Sequence, residues 1–432
     1  MMRMIKSMAT PFVWLLLLAG PNAFLVVPPV MAAAPGARPT STTERKAPPP
    51  QLTQGPRELE PSAANSTDQA VSPRTFSTPF QRMGNSQIPF VSVVLDDGKS
   101  YLFALDPGTP NTSIDQNVAA ATGLEVKPLT LPTGVGINTL TSTAVLGSSQ
   151  LKLGEALFVV EDLRVYRSLY PGFAGILGAN LLKQFRERFD FTAGKVDFSL
   201  VSDAVGGTMA TGAAKAVSLD YGKGGYGVVA AVDGHTAVFS LSTLYDSTLI
   251  HTSSLLSRLK PKATLGGLLA GDGTPVKFLR LGNLTVGDRE WRSPVIEQPL
   301  AKGMPVVNIL GLDFLHRYYL TLDLGHEQIY LDPDPAYRAD PHEWEGLGIV
   351  PAKTAQGRLV IAAIGAPSPA RAAGLKVGDE LTAIQGLPTA HLSQAQESAL
   401  VKRPAGTPVE LRVQSGGNGK ARTVHLKVKR LL

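Results

Sequence analysis

The sequence predicts a mainly β protein: two homologous β-rich lobes followed by one smaller domain. Three observations predict it. Residues 95–115, "LDDGKSYLFALDPGTPNTSID", align without a gap on "AVDGHTAVFSLSTLYDSTLIH" at a spacing of 136, Phe103 meeting Phe239. Further on, a spacing of 133 lays "LKLGEALF" over "LTVGDREW" and "ILGANLLKQFRERFDFTAGKVDFS" over "ILGLDFLHRYYLTLDLGHEQIYLD", so three matched blocks recur in order. The 33 prolines and 43 glycines are spread among strand-like runs rather than gathered in one tract, which favours turn-rich β structure.

The elements follow in chain order. Residues 1–34 carry a secretory signal pattern: Arg3 and Lys6, the short apolar run "FVWLLLLAG", and small residues around Ala32–Ala34. Gly20, Pro21 and the Pro28-Pro29 pair interrupt the apolar stretch, so a spanning helix is not expected. Contact with a membrane is expected only if this segment stays uncleaved. The expected location is secreted or periplasmic, in the cell envelope. Residues 35–85 are rich in Pro, Ser, Thr and Ala and read as a disordered tether, since so little apolar surface cannot offset the entropy of ordering.

The first lobe is assigned to 86–202 and the second to 216–335. Each holds about five short alternating segments and one amphipathic helix after Ile-Leu-Gly, in "ANLLKQFRERF" and "LDFLHRYYL". In each lobe an Asp-Gly pair, Asp97-Gly98 or Asp233-Gly234, marks a tight hairpin turn. Tyr221 and Tyr226 flank a glycine cluster and are expected in an inter-lobe turn. The run "DPDPAYRADP" breaks regular structure, and the third domain follows over 344–432.

Composition removes several functions. The chain has 432 residues, 44% of them hydrophobic, enough for sizeable cores. Its net charge of +6 comes without a basic stripe interleaved with aromatics, so nucleic acid is not an expected partner. No cysteine is present, which excludes disulfides and thiol catalysis. The seven histidines show no metal-ligand spacing, so no metal and no cofactor are expected. "GKGGYG" at 222–227 fits a dinucleotide fingerprint, but strand-like "VVAAV" follows it where a helix is required.

With these residues in view, each lobe resembles the retropepsin or pepsin-like aspartic peptidases, in which an apolar strand enters Asp-Thr/Ser-Gly and an apolar-apolar-Gly segment follows. The third domain is similar to a PDZ domain, through "PARAAGLKVGDELTAIQG". The resemblance implies a two-lobed β-barrel pair followed by a PDZ domain, with one catalytic aspartate per lobe. It implies that Asp106 stands at the first catalytic position. Ser242 stands at the second, so that position is degenerate. Gly108 and Thr243 are the implied turn and brace residues, and Pro107 replaces the hydroxyl residue that would brace the other side. Asp246 is four residues from Ser242, and reaching the centre would require a register slip. Ile176-Leu177-Gly178 and Ile309-Leu310-Gly311 are expected to pack behind the two turns. "LPTGVGINTL" and "LGGLLAGDGTP" take the place of the hairpins over the cleft.

Gly346, Leu347, Gly348 and Ile349 resemble the PDZ carboxylate loop, whose amides hold a peptide terminus while the peptide joins the sheet edge. Pro351 cannot donate a hydrogen bond from that strand. The partners implied are peptides or unfolded protein segments, including C-terminal tails. Two functions of different class follow: a peptide-binding pseudo-peptidase, or an active aspartic endopeptidase with PDZ-assisted substrate selection. An envelope scaffold that uses neither groove is the third.

Overall fold

The structure is a computed structural model. It describes residues 75–432 apart from 84–85, 125–126, 129–142, 145–148, 161–162, 167–172, 202–213, 223–224, 270–273, 301–306, 341–342, 394–395, 397–402 and 416–418. The signal pattern, most of the tether, the first cleft loop at 131–140 and most of "SQAQESALVK" at 393–402, a stretch that reads as helical, lie outside the described residues. The chain is mainly β, as expected.

Both lobes meet in one antiparallel sheet. From one edge, its first six strands run in the order Thr75–Pro79, Lys195–Leu200, Phe185–Asp190, Tyr318–Asp323, Gln328–Pro333, Val217–Gly222. The seam lies in the middle of these six, where Arg186 faces Asp323 and Phe189 faces Leu320. Three strands on each side make the six symmetric about that seam.

The repeat found in the sequence is a repeat in space. Strand Ser100–Leu105 pairs in parallel with Gly175–Leu177, Phe103 opposite Gly175; strand His235–Leu241 pairs in parallel with Asn308–Leu310, Phe239 opposite Asn308. These partners are separated by the same 136 and 133 residues as the aligned blocks. Parallel pairing needs a long crossover between the partners, and here the crossover encloses the turn that carries Asp106 or Ser242.

The third domain is a sheet of Ile349–Lys353, Leu359–Ile364, Glu380–Ile384, Pro408–Gln414 and Ala421–Lys427, with Leu387–Pro388 on its flank. Leu347, Ile361, Leu381, Leu411 and Val413 fill its core.

Three expectations are corrected. Residues 75–79 belong to the first lobe and not to the tether: the strand pairs with Lys195–Leu200, and Phe76 stacks on Phe198 at 4.8 Å between centroids. One aromatic ring anchors a segment whose Ser, Thr and Pro content reads as disordered. The helices after Ile-Leu-Gly stop after four residues, Ala179–Leu182 and Leu312–Leu315, and the rest of each run is strand. In "FRERFD" the inward positions Phe185, Glu187 and Phe189 alternate with period two, and burial of both phenylalanines selects the strand. Tyr221 and Tyr226 sit in no inter-lobe turn; they are opposite one another across a hairpin, and Tyr226 donates its hydroxyl to the Leu324 carbonyl at 3.0 Å.

Candidate functional site

Asp106 ends the strand Ser100–Leu105, its amide bonded to the Leu177 carbonyl at 3.0 Å. Ser242 ends the matching strand of the second lobe, its amide bonded to the Leu310 carbonyl at 3.2 Å. The Ile-Leu-Gly segments thus hold both turns from behind, as the sequence implied. The two side chains meet: Ser242 Oγ donates to Asp106 Oδ1 at 3.0 Å. Asp106 is 2% exposed and accepts four further bonds, from Thr243 N at 2.9 Å, Thr243 Oγ1 at 3.4 Å, Thr109 Oγ1 at 2.6 Å and Gly108 N at 3.3 Å. Burial pushes its carboxyl above the usual range, and hydrogen bonds partly oppose that shift.

A matched scaffold supports the turns. In the first lobe Thr112 gives its hydroxyl and amide to Asn180 Oδ1, at 2.8 and 2.7 Å, and receives Gly178 N at 3.0 Å. In the second, Thr248 gives both to Asp313 Oδ1, at 2.6 and 2.9 Å, and receives Gly311 N at 3.2 Å. Burial pushes the Asp313 carboxyl up to about 7.

The braces are asymmetric. Thr243 Oγ1 crosses the seam and donates to the Leu105 carbonyl. Pro107, at the equivalent place in the first lobe, has neither hydroxyl nor N–H to return the bond. Gly108 is required for close approach: a Cβ there would collide with the Leu241 carbonyl oxygen. Leu244, where the second lobe would carry the equivalent glycine, is buried without left-handed backbone.

Asp246 lies elsewhere. It accepts from Gln87 N at 2.7 Å and Ser86 Oγ at 3.5 Å, and burial pushes its carboxyl up to about 6. No register slip brings it to Asp106. Among the described residues no group of three or more His, Asp or Glu is placed to hold a metal.

In the third domain Gly348 has φ +76° and packs so closely on Ser368 that a Cβ would collide with it. Leu347 is buried and its carbonyl accepts Ala370 N at 3.0 Å. The loop is therefore shaped by backbone contacts beneath it. Strand Ile349–Lys353 is an edge strand among the described residues, paired with Leu359–Ile364 alone. The register shifts between Val350 and Pro351, a bulge that accommodates the missing donor.

This loop, edge strand and following "SPARAAGL" turn coincide with a family model for the PDZ domain over residues 346–428. Residues 346–428 are a PDZ domain. The PDZ domain of the carboxy-terminal protease from Vibrio cholerae, solved in complex with peptide, is similar at 25% identity and TM-score 0.19, over 20% of this chain and 94% of that one. A photosystem II D1 C-terminal processing protease matches at 22% identity and TM-score 0.20, over 21% of this chain and 24% of its own. The aspartic proteinase from Irpex lacteus matches at 15% identity and TM-score 0.38, over 60% of this chain and 98% of its own. No curated protein matches the chain.

Sequence reading missed three features. Gly225, at φ +96°, leaves room for the Gly108 carbonyl, which a Cβ would strike. Asp323, fully buried, takes Arg186 Nε at 2.9 Å across the shared sheet and meets His326 Nδ1, in the turn that follows it, at 2.8 Å. Glu187 is fully buried with neither carboxyl oxygen partnered among the described residues, and burial holds its carboxyl well above the ordinary range. An acid at an inward position, between Phe185 and Phe189, is the signal that marks it.

Proposed function

We propose that this protein is a secreted or periplasmic, catalytically silent aspartic-peptidase-like protein. It binds peptide or unfolded protein segments in the inter-lobe cleft and through its PDZ domain. The observation that carries the reading is the group opposite Asp106, which is the hydroxyl of Ser242 at 3.0 Å. Peptide hydrolysis by this type of centre needs one ionised carboxylate to activate water and one protonated carboxyl to polarise the carbonyl and protonate the leaving amine. Asp106 can be one or the other. A serine hydroxyl donates a hydrogen bond but has no acidic proton to exchange in the working range, so the second role is unfilled. The location rests on the N-terminal pattern, and peptide capture on the Gly346–Ile349 loop and the edge strand beside it.

One observation favours the alternative of an active endopeptidase: burial shifts the Asp106 carboxyl upward, the direction a general acid requires. The test is incubation with unfolded casein from pH 3 to 7, beside Asp106→Asn. No cleavage by either protein is expected; cleavage by the parent that the variant loses establishes the endopeptidase. For capture, peptides with free and amidated C-termini are titrated. Preference for the free carboxylate is expected, and equal binding of the two sets removes tail recognition.

A further inference from the structure

The PDZ domain is built into the second lobe. Leu265 and Phe278 of the lobe's three-stranded sheet (Ala263–Leu269, Pro275–Arg280, Val295–Pro299) share a buried cluster against which Trp344 and Val350 pack. The contact is also made by backbone: Gly266 and Ala366 exchange both hydrogen bonds, at 3.0 and 2.8 Å, and Gly365 N donates to the Gly348 carbonyl at 2.7 Å. Gly267, at φ +76°, would place a Cβ 2.6 Å from the Ile364 carbonyl oxygen. The strand that occupies the hairpin position of the second lobe is thus tied directly to the carboxylate loop.

The same bonding runs back to the centre. Ser242 is bonded to Leu310, Ile309 to Leu249, and Glu297 pairs with Leu249 and then with Phe278. Phe278 pairs with Leu265, Gly266 with Ala366 and Gly365 with Gly348. Seven inter-strand steps of about 4.8 Å and three steps along the chain of about 3.8 Å place the carboxylate loop no more than ~45 Å from Ser242. Extended chain rises about 3.3 Å per residue, so at most about fourteen residues cover that span.

Resting on the binding reading above, we propose that the carboxylate loop and the inter-lobe cleft take one ligand between them: the C-terminal segment, of up to about fourteen residues, of an extended polypeptide. Its terminal carboxylate is held by the Gly346–Ile349 loop and its upstream residues lie in the cleft beside Asp106 and Ser242. Because the PDZ domain is fixed to the lobe by a buried cluster and paired backbone, no entropy is spent aligning the two sites when a long tail binds. Short tails reach one site only.

The test uses the full chain and fluorescein-labelled peptides that share a four-residue tail ending in free valine, extended by alternating Ala-Thr to about 6, 8, 10, 12, 14, 16 and 18 residues. Anisotropy should show Kd nearly constant for the short members, then falling about 100-fold at a length no greater than about fourteen. Amidating the longest peptide should remove that gain. Gly267→Ala, which pushes the PDZ domain off the hairpin, should abolish the step and leave four-residue binding intact. Should that variant unfold, competition of the longest peptide by unlabelled four-residue tail decides: incomplete displacement of the long peptide supports the proposal. Carboxylate-dependent binding with a Kd independent of length overturns it and leaves the PDZ reading standing. No binding at any length removes the binding reading itself.

Discussion

Replacing Asp106 separates a structural carboxyl from a reacting one. Its Oδ1 accepts Ser242 Oγ, Thr243 N and Gly108 N, while Oδ2 accepts only Thr109 Oγ1. In Asp106→Asn the retained oxygen keeps the first three bonds, and the new amide meets a Thr109 hydroxyl that can turn to accept. The isostere also removes the desolvation that raises the acid. Its expected cost is therefore within about 1 kcal/mol at pH 5. Asp106→Ala instead strands donors from both lobes, including Thr243 N and the Ser242 hydroxyl, which are nearly inaccessible to water. At about 1–3 kcal/mol for each buried orphan, the loss is ~2–5 kcal/mol. Urea unfolding across about pH 3 to about pH 8 measures both. A raised carboxyl gives stability that is present below its unfolded pKa of about 4 and declines as pH rises toward the folded one, so the parent should weaken as pH rises above about 4 and the Asn variant less. Equal losses of several kcal/mol in both variants would refute the reasoning, because they would mean that the negative charge itself holds the lobes.

Three further outcomes are expected. Thr243→Val removes the bond to the Leu105 carbonyl and leaves that oxygen buried, which should cost about 1–3 kcal/mol in the same unfolding assay. Arg186→Met deprives the fully buried Asp323 of its main cation, and a loss of about 3–5 kcal/mol is expected by denaturant titration, much of it recovered in Arg186→Met with Asp323→Leu. Asp313, raised to about 7 by burial, stays protonated in the folded chain while the unfolded chain ionises near pH 4; it should therefore lower stability as pH rises from about 4 to about 7, and thermal unfolding of Asp313→Asn should show a flatter profile across that window.

The two-lobed fold was legible because the repeat is carried by residues that pack. Phe103 and Phe239, Leu105 and Leu241, and Thr112 and Thr248 fall at matched places in the two turns, and the spacings of 136 and 133 survive as strand partners. Ser242 opposite Asp106 followed from the gapless alignment alone. The strand boundaries after Ile-Leu-Gly were not legible, because "LLKQFRERF" satisfies helical and strand periods at once and only its place at the seam of the shared sheet decides. Gly108 was legible as a required glycine but for the wrong cause: its need is the close Leu241 carbonyl and not a special φ. The docking of Gly266 on Ala366 had no sequence signal. Backbone-to-backbone pairing between distant segments leaves no mark on side-chain pattern.

The distribution of acids between the two lobes fits the silent centre proposed above. Asp106 in the first lobe is matched by Ser242, whereas Asn180 in the first lobe is matched by Asp313 in the second. Each matched pair keeps one carboxyl, but of the two only Asp106 meets the opposite lobe at the centre. The groups that keep their symmetry are those that hold backbone: the paired threonines, Gly178 with Gly311, and the apolar segments behind them. Those that lose it are the ones a reaction would need, namely the second acid and the second brace. Asp106 can persist under the first requirement alone, since it collects donors from both lobes at the seam.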